Sequence, residues 1–393
     1  MAAPRRRRLG FAPFFLAGAV LAGAGAPIWI AQYLGQEGWW LAVDGPRWHG
    51  HEMVFGFAPA VIGGYLLANV SGRTLLLLLA AWGAGRVAGL ATGLATGLAT
   101  GLAGPILPPP LAAGLPLLYP AGLFWLAALP FFRSAKRWRT AVPGLILGGF
   151  LAAEAVFQLG VLDLLPGGED TGMLLGLDLI AGLLFLMGGR VIAAATSGAH
   201  QARGGYLPGV AQPRLETAGL LGLFVLLAGD LAGWPYVAGA GAALAAGAIA
   251  ARLAKWRAWA VVDGLDVTGL HLGYAFLGIG LALAAWESVT GAAGLFEARH
   301  GVAVGGLGIL SLAVMGRTVV QRARLPGGVP AGIRIAVGLA ALAALLRLAA
   351  LLPDWRIDML IAAAALWALA FALFCAVVLL SLRPRRDETG ARD

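Results

Sequence analysis

The chain has 393 residues, 60% of them apolar and only 12% charged, whereas soluble domains run roughly half apolar and a quarter charged. Apolar stretches of about twenty residues, each long enough to cross a bilayer core, recur from end to end, which excludes a soluble globular domain, a disordered chain and a disulfide-stapled secreted module. The net charge of +9 fits the basic cytoplasmic loops of a membrane protein rather than nucleic-acid binding. The single cysteine, Cys375, leaves no thiolate set for a zinc or iron–sulfur centre within one chain.

In chain order, a basic segment (residues 1–10) carrying Arg5 to Arg8 comes first. Apolar runs between charged or turn-rich breaks then predict twelve helices, at about 11–31, 49–70, 74–98, 113–132, 141–160, 172–195, 215–231, 235–253, 264–286, 299–320, 331–351 and 357–382. Arg5 to Arg8 followed by the apolar run Phe11 to Ala26 also has the form of a signal peptide ending before Pro27; its removal would leave the orientation of the other eleven helices unchanged. Near the end of the third span, Gly-Leu-Ala-Thr repeats three times between Gly89 and Gly101. It reads either as a small-residue ridge for close helix approach or as a slippage expansion with no chemistry.

The breaks between spans segregate by charge. One alternate set carries Arg5 to Arg8, Arg73, Arg133, Lys136, Arg137, Arg139, Arg203, Arg214, Arg252, Lys255, Arg257, Arg317, Arg322, Arg324 and Arg334, followed by the tail arginines from Arg383. The other holds Arg47, Arg299 and Arg356 beside nine acidic residues, among them Glu169, Asp170 and Glu297. Under the positive-inside bias both termini are cytoplasmic. The reading is therefore an all-α integral membrane protein, with about twelve transmembrane helices in one bundle (11–382) and a cytoplasmic tail (383–393). No loop is long enough for a separate soluble domain.

Five histidines carry the main chemical signal. Trp48-His49-Gly50-His51-Glu52-Met53 stands where the second span leaves the non-cytoplasmic face. Imidazole is a ligand for haem iron and copper, and a thioether suits Cu(I). His49 and Met53, four residues apart, share a helix face, whereas His51 points about 200° away from His49. The two rings therefore address different partners, as two nearby sites or as one ligand and one proton-relay residue. His271 lies inside the ninth span, so its ring needs a metal or a partner on another helix. His300 opens the tenth span beside Arg299, as a ligand or as an interfacial residue, and His200 sits in a basic loop.

Charges at membrane depth need partners or a water-filled cavity. They are Arg86, Glu154, Asp178, Arg190 and Arg347. The planar fork of arginine suits a haem propionate, which makes Arg86 and Arg190 candidate anchors. They serve equally well as ion-pair partners of Glu154 or Asp178.

The segment from Trp48 through Val54-Phe55-Gly56 resembles the opening signature of the NnrS proteins, bacterial inner-membrane proteins linked to nitric oxide stress. The resemblance continues at His271-Leu272-Gly273-Tyr274, and again from His300 through Gly305, Gly308 and Leu312 to Val314-Met315-Gly316-Arg317. It implies a haem b and copper protein of the bacterial inner membrane that interacts with nitric oxide or nitrosyl species, with His49, His51, His271 and His300 as metal ligands. Two positions depart from the family pattern. Gln321 and Arg322 stand where a Gly-His pair is common, and Ala193 and Ala195 replace a proline and an aromatic after Gly188-Gly189-Arg190.

Two other classes compete. A twelve-helix transporter fits the span count but has no use for a His-Gly-His-Glu-Met sequence at a helix mouth. A haem–copper oxidase or nitric oxide reductase needs six histidines, against five here. A simple membrane b-type cytochrome needs only two histidines on facing helices.

Overall fold

The computed structural model describes residues 10–36, 45–98, 107–136, 138–261, 265–292 and 294–383, and among them there is no strand. The helices are α1 (Ala12–Tyr33), α2 (45–66), α3 (Gly72–Leu98), α4 (Pro109–Ser134), α5 (Trp138–Val161), α6 (Gly168–Ala202), α7 (Pro213–Ala232), α8 (Pro235–Trp256), α9 (Leu265–Thr290), α10 (Leu295–Ala323), α11 (Ala331–Ala349) and α12 (Arg356–Leu382). Among the described residues ten of them, all but α2 and α3, are long and apolar enough to cross a membrane by length and composition. Each expected span falls on one helix. The largest difference is at α6, expected to end near 195 but helical to Ala202. There the sequence turns polar while the helix continues, and the Thr196 hydroxyl donates back to the Ile192 carbonyl at 2.7 Å. Hydropathy marks the end of the apolar stretch, not of the helix. The basic segment before residue 10, the tail beyond 383 and the side chains of the Gly-Leu-Ala-Thr repeat lie outside the described residues.

Sequence neighbours pack as antiparallel pairs, and α1 lies against α12, so the two ends of the bundle meet. The Trp367 indole of α12 donates to the Ala22 carbonyl of α1 at 2.8 Å across that seam. α10 is the most buried span, with 78% of its apolar window inside against 28% for α7, which places α10 centrally and α7 at the rim.

Among the described residues four helices contain a π-helical stretch, at 52–57 in α2, 124–128 in α4, 184–188 in α6 and 301–308 in α10. Such insertions widen a helix by part of a turn and cluster at functional sites.

The α7–α8 hairpin shows how helices associate where lipid gives little hydrophobic drive. Gly233 ends α7 in the left-handed region (φ 67°) and Pro235 opens α8. A Cβ at Gly241 would lie 2.4 Å from the Leu226 amide nitrogen, so the two backbones touch there. Gly247, on the same helix, faces open space. Gly241→Leu is expected to lower the thermal midpoint of the detergent-solubilised protein, an overpacking cost of roughly 1–3 kcal/mol. Gly247→Leu should leave it nearly unchanged, and equal effects would show that the contact is not limiting.

Candidate cofactor cavity

A cavity of about 260 Å³ opens between the ends of α1, α2, α6, α10, α11 and α12 that lie on one side of the bundle. It is reached by His49 and Met53 of α2, Met173 of α6 and His300 of α10. One helical turn carries His49 and Met53 to the same face, as their spacing requires. Gly50 makes room for Met173, because a Cβ there would meet the thioether at 2.8 Å.

The two histidine rings are held differently. His49 stacks on Trp29 of α1, centroids 5.3 Å apart and planes at 27°, and lies against the Gly25 carbonyl. Its Nδ1 is buried without a hydrogen bond among the described residues. His300, half-buried at the mouth of the π stretch of α10, contacts the Phe296 carbonyl through Nδ1 at 2.7 Å. A carbonyl only accepts, so Nδ1 carries the proton and Nε2 keeps its lone pair when the ring is neutral.

Arg47, Arg299 and Arg347 line the same cavity. Arg47 pairs with Glu169 at 3.3 Å. Arg347 is bound by Glu297, which also takes Arg356 at 2.6 Å. Arg299 is clamped between Asp178 of α6 and Asp230 of α7, tying three helices together at this end. The rest of the lining is mostly apolar, including Ile180, Leu307 and Trp367.

His51 faces the other way, into a buried acid cluster. Its Nδ1 lies 3.2 Å from Glu52 and its Nε2 2.9 Å from Glu154 of α5. Ionised carboxylates only accept, so this pattern is satisfied by a ring carrying both protons. Arg86 donates to Glu52 at 3.1 Å and Gln158 donates to Glu154 at 2.8 Å. His271 is elsewhere again. It stands nineteen residues before the end of α9, which puts it about 28 Å along the axis from the cavity end. Its Nδ1 donates to Val267 at 3.0 Å and its Nε2 lies 3.3 Å from the Thr196 hydroxyl of α6. Arg190 contacts the Arg139 carbonyl at 3.3 Å and Glu216 at 3.8 Å.

The four candidate ligands thus fall in three places: His49 and His300 share a cavity, while His51 and His271 have both ring nitrogens engaged by protein groups. Arg86 and Arg190 take Glu52 and Glu216 as partners, not Glu154 or Asp178, and neither lines the cavity. Among the described residues no group of three or more His, Cys, Asp and Glu side chains is placed to hold a metal ion. The donor set at the cavity is two imidazoles and two thioethers, with arginines beside them, residue types that would suit a haem iron and its carboxylates. Trp29, Met173 and the three cavity arginines were not singled out as site residues from sequence.

A family model described as NnrS protein matches residues 6–386, nearly the whole chain. The chain belongs to the NnrS family. No curated protein matches it significantly. Arg322, which with Gln321 departs from the expected family pattern, donates to the Gly64 and Tyr65 carbonyls at 3.2 and 2.7 Å. It caps the far end of α2, away from the cavity.

Removing one member of a buried ionic group leaves the others uncompensated, at a cost of about 3–5 kcal/mol. Arg299→Met is expected to lower the thermal midpoint sharply, and adding Asp178→Asn and Asp230→Asn should recover part of the loss. A triple variant no better than the single one would show that the carboxylates are not what Arg299 serves.

Proposed function

We propose that this cavity holds a haem b, with copper as a second metal, and that the protein protects bacteria against nitric oxide from within the inner membrane. The observation that carries the reading is the meeting of His49 and His300 at one mostly apolar cavity, with an unpartnered Nδ1 on His49 and an Nε2 lone pair on His300. Trp29 fixes the plane of the His49 ring. The Phe296 carbonyl sets the tautomer of His300, the arrangement usual for a metal-binding imidazole. Arg47 and Arg347, which also pair with Glu169 and Glu297, would meet the propionates, and Met53 and Met173 offer soft donors that suit Cu(I). When bound, a haem supplies an iron that takes nitric oxide as a ligand. The apolar lining keeps water from the histidines and admits an uncharged diatomic that dissolves in lipid.

The test is the visible absorption spectrum of the purified full chain, oxidised and reduced, with iron and copper measured on the same sample. His49→Ala and His300→Ala are expected to lose most of the haem absorption, and His51→Ala and His271→Ala to keep it. A monodisperse, colourless, metal-free protein would sink the reading and bring the permease forward.

The charge segregation supports twelve membrane crossings, α2 and α3 included, with both termini cytoplasmic and the cavity at the outer face. Alkaline phosphatase fused after Leu164 is expected to be active and fused after Leu382 inactive. The reverse pattern would invert the topology and put the cavity on the cytoplasmic side.

A further inference from the structure

A second cavity of about 100 Å³ lies further along the bundle axis, between α2, α4, α5, α6 and α10. Apart from Tyr65 and Ser311 every side chain lining it is apolar. Ile180 of α6 and Leu307 of α10 line both this cavity and the one holding His49 and His300. These two side chains form a common wall with the histidine cavity on one side and the apolar cavity on the other. Both are well buried, Ile180 at 1% and Leu307 at 6% exposure.

The backbone near this wall is irregular in a consistent way. Leu307 belongs to the π stretch of α10, Ala58 follows directly on that of α2, and Leu184, Met187 and Gly188 belong to or end that of α6. Three of the four π insertions therefore converge where the cavities adjoin. A widened turn displaces side chains from regular packing, which leaves space between neighbouring helices. Tyr65, Leu66, Phe131 and Val191 are half-buried, so the cavity reaches the outer surface of the bundle.

An apolar cavity too poor in polar partners for water stays dry and takes up apolar gases; one of about 150 Å³ binds benzene or xenon. We infer that the second cavity is a holding site for a small apolar gas molecule entering from the bilayer, with Ile180 and Leu307 as the gate to the histidine cavity. That the gas is nitric oxide rests on the function proposed above; the holding site itself does not.

The experiment is xenon binding by ¹²⁹Xe exchange NMR on the full chain in lipid nanodiscs, with empty nanodiscs of the same lipid as reference. A saturable protein-bound xenon population is expected. Val61→Phe in α2 and Leu147→Phe in α5, which fill the cavity from two sides, should each reduce it at least about fivefold. No protein-bound xenon in folded wild-type protein, or xenon that survives both substitutions, would overturn the inference, as would a cavity found occupied by a lipid acyl chain. Bound xenon in a protein that lacks metal would sustain the holding site while the haem reading fell. In metal-loaded protein, Leu307→Trp is expected to slow association of nitric oxide, and an unchanged rate would overturn the gate.

Discussion

In hydrocarbon an unpaired backbone amide or carbonyl has no water to turn to, so the chain closes its hydrogen bonds within helices and keeps irregular backbone away from lipid. The remaining features follow from how the bundle works within that constraint. Among the described residues the π stretches are one form of irregularity beside interior prolines such as Pro27 and Pro143, and three of the four π stretches lie on α2, α6 and α10, the helices that contribute to both cavities. Charge obeys the same rule. Arg299 sits between two aspartates, Arg86 beside Glu52, and Arg252 is enclosed by Phe185, Trp256 and Tyr274 with the tyrosine hydroxyl at 3.0 Å.

The contrast among the histidines is instructive because the residue type is constant and the surroundings are not. His51 and His49 are two positions apart, yet one meets carboxylates at both nitrogens and the other an indole face and a cavity. Rotation of about 200° around one helix is enough to separate the two environments. His271 is satisfied by a carbonyl of its own helix and a hydroxyl of its neighbour. Both ring nitrogens of His51 and His271 are held by protein groups, whereas Nδ1 of His49, a residue that lines the first cavity, has no hydrogen-bond partner among the described residues.

The positions of the twelve helices were legible because a bilayer demands apolar runs of nearly fixed length, and loops interrupt them with charge. The opposed faces of His49 and His51, and the common face of His49 and Met53, followed from helical periodicity. Partners across helices were not legible, since Arg86 had several acidic candidates and only the packing of α3 against α2 selects Glu52. The π stretches leave no trace in hydropathy. A signal for the cavity arginines did exist. Arg47, Arg299 and Arg356 were the basic residues on the otherwise acidic side, and two of them line the cavity while the third binds Glu297. A positive charge on the side that disfavours it marks a place where something other than topology requires it.

Arg322 of α10, bonded to the last carbonyls of α2, joins the two histidine-bearing helices at the end remote from their histidines. The pair resembles a tuning fork, with the base at Arg322 and His49 and His300 on the tines. From Arg322 to His300 the helix runs about 33 Å, so a relative tilt of about 3° moves the tip by about 1.7 Å. That is the difference between an imidazole within bonding reach of a metal and one outside it. A polar contact remote from the histidines thus stands at the shared base of the two helices that carry them.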